Sequence, residues 1–213
     1  ETSDFVPVSL MVSYPFILAI NPANEKNASV STLNDLVRLA REKPGQFTYG
    51  STGQGGLVHL GFELINQMAD IKMVHVPYKG TAEAVTDVSG GRGNAVIVPT
   101  AGVGVYLQDT RLRIIGITSK KRSALLPNVP TLAESGLSGF QFESWFGLLA
   151  PAATPIAIQE KLNAAVNKII VNKDVKERLL ALSATSSTPA IKPELRTSPT
   201  RGWSARRLRR CSN

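Results

Sequence analysis

One cysteine, Cys211, in a chain of 213 residues leaves no partner for an intrachain disulfide and supplies no cluster for a metal. Histidines number only two, His59 and His75, and no further ligands stand around them at zinc-site spacing. No apolar run approaches the roughly 20 residues of a membrane-spanning helix. Internal repeats are absent. Charged residues make up 19% and hydrophobic ones 43%, a balance that excludes a disordered chain and supplies a real core. Glu1 follows neither a methionine nor a signal-peptide pattern, so a processed or truncated product is expected.

Acidic residues are also scarce, 16 against 24 basic, for a net charge of +8. Between Lys192 and Asn213 lie seven of the basic residues and one acid, Glu194, which leaves 17 against 15 elsewhere. The basicity belongs to the tail. No folded recognition motif accompanies its arginines, and no nucleic-acid partner is expected.

What is present is an alternation of strand and helix patterns. Phe5 to Ile20 is almost continuously apolar and reads as one or two buried strands broken near Pro15. Thr32 to Asp35 has capping-box spacing, and the helical stripe Leu33, Leu36, Val37, Ala40 stops at Lys43-Pro44-Gly45. Strands are predicted over Phe47–Tyr49, Lys72–Val76, Ala95–Val98 and Leu112–Thr118, with helices after Leu57 and over Thr81–Val88 and a short helix or loop running to Leu107. Such alternation implies a mostly parallel sheet covered on both faces. After Ser119 the texture changes to a proline-punctuated connection and a strand candidate over Phe142–Ala150. Thr154-Pro155 then starts a helix, and Asp174 caps a further one.

Two turns carry candidate chemistry. Gly50-Ser51-Thr52-Gly53-Gln54-Gly55-Gly56, with His59 one turn on, sits between a strand and a helix, where free amides and the helix dipole favour an anion. Gly50 and Gly55 have P-loop spacing, but Gly56-Leu57 stands in place of Lys-Ser/Thr. Ser51 directly follows Gly50, which is the wrong frame for a nucleophile elbow. A steric glycine turn and a carboxylate-binding turn both remain. The second turn, Pro77-Tyr78-Lys79-Gly80-Thr81, offers two amides and an ammonium, or is an ordinary helix cap with a solvated lysine.

Neither histidine has an obvious serine or cysteine partner with an orienting acid, so triad catalysis has little support. His59 either points into the cleft or does not, whereas His75 reads as a satisfied sheet residue. Trp145 reads as core or junction packing. An enzyme acting on a phosphorylated or acyl substrate through the Gly50–Gly56 loop is the alternative function.

Tyr49 to Gly55 with His59-Leu60, and His75 to Gly80, resemble the tripartite tricarboxylate transporter receptors, the TctC-like or Bug solute-binding proteins. So do Val129 to Gly136 and Trp145 to Pro151, in the family's order and spacing. The resemblance covers about Asp4 to Leu195 and implies an α/β, periplasmic-binding-protein-like, two-lobed fold with mostly parallel sheets. It implies a periplasmic, monomeric receptor that closes on a small organic carboxylate (a di- or tricarboxylate, an amino acid or an aromatic acid). Closure would hinge near Val12–Ile20 and Thr118–Ala124, and membrane permease subunits would receive the solute.

The expected ligand-binding residues are Ser51, Thr52, Gly53, Gln54, Gly55, Gly56, His59, Lys79, Gly80 and Thr81, with no catalytic residue, metal or cofactor. By the same resemblance, residues 1–20 are a remnant of the first lobe with the hinge strand, and 21–118 are the second, ligand-binding lobe. Residues 119–196 return to the first lobe, which is incomplete, and 197–213 are a disordered basic tail. In the family roughly 100 residues of first-lobe sequence precede the Asp4–Leu10 stretch, and an amphipathic helix follows Arg196. The arginine-rich ending here is the kind of sequence a shifted reading frame yields. The acidic positions common after the Gly90-Gly91 turn stand here as Asn94 and Val98.

Overall fold

The computed structural model describes residues 4–100, 109–181 and 185–186. The helix or loop expected up to Leu107 and the 197–213 tail lie outside the described residues. Two compact units divide the chain, one of Tyr14–Ser144 and one of Glu1–Ser13 with Trp145–Asn213.

In the larger unit the strand order is β3-β2-β4-β1-β5. These are β1 (Phe5–Ile20), β2 (Thr48–Ser51), β3 (Val74–Pro77), β4 (Ala95–Pro99) and β5 (Arg113–Ile117). β2 pairs in parallel with β3 and β4, whereas β1 is antiparallel to β4 and β5. Four strands therefore share one direction and β1 alone runs against them. The parallel order is what strand–helix–strand crossovers impose, and β1, which no crossover feeds, is free to reverse.

Side-chain alternation sorts the core into two faces. Phe16, Leu18, Ile20, Ala95 and Ile97 face α1 (Leu33–Glu42) and α2 (Leu57–Ala69). Ile17, Ala19, Val96 and Val98 face α3 (Thr81–Ser89) through Ala84, Val85 and Val88. α1 opens with the predicted capping box, Thr32 accepting from Asp35 N–H while the Asp35 carboxylate accepts from Thr32 N–H. The sequence changes texture at Ser119, yet Leu132, Leu137 and Phe140 stay in the α1–α2 core.

β1 passes through Pro15 unbroken. Its pairing with β7 (Thr185–Ser186) ends at Ser13 and its pairing with β4 begins at Phe16, so the missing N–H falls between two ladders. Pro15 C=O still accepts from Thr100 N–H and Oγ1–H, at 3.1 and 2.9 Å.

In the smaller unit β6 (Glu143–Pro151) and β7 pair with β1, and α4 (Ile156–Ile170) and α5 (Lys173–Ala181) lie between them in the chain. Asn163 Nδ2 donates to Val8 C=O at 2.7 Å and anchors α4. Two predicted caps shift. Pro155 is extended (ψ 140°), so α4 starts one residue later than expected, and Thr154 instead accepts from Gln159 Nε2 through its carbonyl. Asn172, not Asp174, caps α5 by accepting the Asp174 N–H at 2.9 Å. Trp145, expected in packing, is 45% exposed.

Candidate functional site

β2 and β3 end side by side, Ser51 opposite Pro77 in parallel register. Tyr78 N–H donates to Ser51 C=O at 2.8 Å and ties the start of the second turn to the end of the first strand. Beyond that bond the chain diverges. The connection after β2 enters α2 on one face, and the connection after β3 enters α3 on the other. Neighbouring parallel strands whose carboxyl-end connections leave to opposite faces open a crevice between them, the usual ligand position in such sheets. Both turns singled out in the sequence lie just beyond these carboxyl ends.

The first turn is shaped by its glycines. Gly53 (φ +120°) and Gly55 (φ +74°) adopt conformations that L side chains rarely reach. Gly56 occupies the N-cap of α2 and makes no side-chain cap bond, so the first-turn amides lack an internal acceptor of the usual kind. Thr52, Gln54 and Gly55 are exposed, and Ser51 is buried. Gly50 leaves room for the second turn, since a Cβ there would meet Ala84 Cβ and the Tyr78 ring at 3.1 Å each.

The second turn is partly self-satisfied. Gly80 is the N-cap of α3, again without a side-chain cap, and Thr81 opens the helix. Lys79 N–H, however, already donates to Glu83 Oε2 at 3.1 Å, and the Lys79 side chain is exposed. Tyr78 is held by its hydroxyl donating to Asp87 Oδ2 at 2.6 Å. Burial and that bond push the Tyr78 phenol up to about 12, and the same hydrogen bond, with Arg92, pulls the Asp87 carboxyl down.

Beneath the first turn lies a stack of rings. Tyr49 packs on Phe62 at 4.2 Å and on His75 at 5.2 Å, and His75 stacks on His59 at 4.2 Å with the planes 27° apart. Ser51 Oγ stands 2.5 Å from His75 Nε2 and also exchanges contacts with Gly53 N–H and C=O, each at 3.2 Å. Gly55 N–H donates to His59 Nδ1 at 2.9 Å, so a neutral His59 carries its proton on Nε2. The Tyr49 hydroxyl donates to Glu63 Oε1 at 2.6 Å, and burial, with that bond, drives the phenol far above its ordinary range. Burial lowers the His75 imidazole, and the neighbouring His59 lowers it further.

His75 is the residue sequence reasoning missed: it partners Ser51. Its only sequence signal was the Tyr49-x-Ser51 and His75-x-Pro77 alternation, which becomes a contact once the two strands are in register. Among the described residues no carboxylate is seen to bond this imidazole, and Glu63 Oε1 accepts instead from Tyr49 and from Asn66 Nδ2 at 3.2 Å. Ser51 and His75 thus form a pair without the third member of a triad.

Asn94 sits at the other end of the sheet. Its Oδ1 accepts from Thr48 N–H and Oγ1–H at 2.8 and 3.1 Å, and its Nδ2 donates to Asn24. Val98 is fully buried in the α3 core. Both positions serve the scaffold.

A sequence model of the tripartite tricarboxylate transporter family receptor matches residues 1–188. The chain is 36% identical over 203 residues to a protein encoded in the tcbD–tcbE intergenic region of Pseudomonas sp. strain P51, covering 94% of this chain and 59% of that one. Among solved structures it superposes on Rhodopseudomonas palustris Rpa4515 with adipate at a TM-score of 0.75 and 28% identity, covering 98% of this chain and 64% of that one. It also superposes on MatC from the same organism with bound malate, at a TM-score of 0.72 and 28% identity over 93% and 64% of the two chains. The fold is that of a periplasmic binding protein. The chain spans about six-tenths of the length of these relatives.

Proposed function

We propose that this chain, which belongs to the tripartite tricarboxylate transporter receptor family, binds a small organic carboxylate at the Ser51–Gly56 and Lys79–Thr81 turns. The observation that carries this reading is the pair of turns beyond the adjacent carboxyl ends of β2 and β3, where two helices begin at glycine N-caps without side-chain caps. Ser51, Thr52, Gly53, Gln54, Gly55 and Gly56 supply amides and hydroxyls to one carboxylate, and His59 stands behind them. Lys79, Gly80 and Thr81 supply the second edge. The chemistry is charge-assisted hydrogen bonding, with no bond made or broken in the solute.

Adipate and malate, named with two of the similar structures, are both dicarboxylates, and that is the class assigned here. The residues 21–118 form the ligand-binding lobe of a periplasmic receptor that delivers solute to a membrane permease. Calorimetric titration with adipate, malate and inorganic phosphate tests the reading. Heat from a dicarboxylate with none from phosphate is expected; phosphate binding without dicarboxylate binding would overturn it in favour of a phosphorylated substrate.

A further inference from the structure

Two donors of the proposed site are engaged by histidines. Gly55 N–H, the amide at the crest of the first turn, is spent on His59 Nδ1. Ser51 Oγ–H lies against His75 Nε2, and when that nitrogen is unprotonated the hydroxyl must donate to it. A carboxylate arriving at the turn would then meet an occupied amide and a hydroxyl offering only lone pairs.

Protonation reverses both. A charged His59 can no longer accept at Nδ1, which frees the Gly55 amide. A charged His75 donates from Nε2 to Ser51 Oγ, and the hydroxyl proton, no longer held by the ring, is then shared between Gly53 C=O at 3.2 Å and an arriving carboxylate. The rings stack face to face at 4.2 Å, so two positive charges there oppose each other and a single proton serves the pair.

We infer that the His59–His75 stack takes up a proton when the site binds a carboxylate, so that affinity rises as pH falls through the histidine range. The inference rests on the carboxylate reading above. The groups facing the pair are the Tyr49 phenol and Ser51 hydroxyl from β2 and the Glu63 carboxylate from α2. Tyr49 remains neutral throughout this range, since burial and Glu63 hold its proton on. Glu63 favours a charged His75. Lys79 and Glu83, on the adjoining turn, carry opposite charges.

The chain has only these two histidines, so its imidazole spectrum is readable by NMR. Titrating the whole chain with and without adipate, between about pH 6 and pH 8, reads the coupling directly. Without ligand, the Gly55 amide resonance should move with the midpoint of an imidazole. Adipate should raise one imidazole midpoint by about one unit, and its affinity should be about tenfold higher at the acid end. His59→Gln with His75→Gln should flatten that profile. Adipate binding with unmoved midpoints and a flat profile overturns the inference and leaves the carboxylate reading standing. No shift of any resonance by adipate or malate at either pH overturns both.

Discussion

Ser51 Oγ contacts His75 Nε2 at 2.5 Å although the two residues are not opposite each other in the ladder: Ser51 faces Pro77, and His75 faces Tyr49. The contact is a diagonal one across a parallel pair. It satisfies the hydroxyl of a residue that is only 1% exposed, and it fixes where the Ser51 side chain points.

Replacing Ser51 and Thr52 together by alanine removes both hydroxyls of the turn while leaving its glycine conformations intact. Dicarboxylate affinity should fall by about 1–3 kcal/mol in total, the scale of hydrogen bonds to a charged group. Calorimetry with adipate checks it, and unchanged affinity would remove the loop from the site.

Gly50→Ala tests the packing of β2 against the second turn and α3. The new methyl lies 3.1 Å from both Ala84 Cβ and the Tyr78 ring, and Tyr78 is tied to Asp87 and to Ser51. Neither neighbour can withdraw freely. A loss of about 1–3 kcal/mol in urea unfolding is expected, the range for overpacked interiors. A neutral result would mean that α3 shifts easily against β2.

Much of this arrangement was legible in the sequence. Glycine spacing, the Thr32–Asp35 box and the apolar stripes located the helices and both turns to within a residue or two. The β1 strand was legible by its apolar run, but Pro15 looked like a break because the positions of its flanking ladders cannot be read from one strand. Register hid the rest. The pairing of Tyr49 with His75 puts His75 in a ring stack with His59 and within reach of Ser51 Oγ, and no residue next to His75 in the chain announces it. Asn94 is a different case, a position where the resemblance expects an acid and this chain carries an amide. Its hydrogen bonds to Thr48 place it at the start of the strands, away from the carboxyl ends.

Asn94→Asp restores the family's acid. One carboxylate oxygen can still accept from Thr48, but the other would face Asn24 Oδ1, which now accepts from Asn94 Nδ2 at 3.1 Å. Turning the Asn24 amide over would break its bond to Gly91 C=O. The position is 3% exposed, so the unmatched acceptor costs about 1–3 kcal/mol of stability. Dicarboxylate affinity of the folded variant should be unchanged. Tighter binding would show that the position reaches the ligand after all.

The Tyr78–Asp87 bond predicts how stability responds to alkali. The Tyr78 phenol is raised from 10.0 to about 12 by burial and by its bond to Asp87. A raised folded value means that the contribution is fully present below the unfolded tyrosine value near 10, and is lost as pH rises from there through about 12. The reason is that the unfolded chain releases the proton first. Tyr78→Phe should cost about 0.5–1.5 kcal/mol at neutral pH, the ordinary worth of one hydrogen bond. Asp87 keeps Arg92, whose Nε donates to it at 2.6 Å, so the carboxylate is not stranded by the change. Above pH about 10 the variant should lose stability less steeply than the parent. Part of the slope will persist, because Tyr49 is raised as well and still titrates in the unfolded chain. Urea unfolding at neutral pH and at successive alkaline values measures both effects, and parallel slopes for the two proteins would show that the Tyr78 hydroxyl is not held by Asp87.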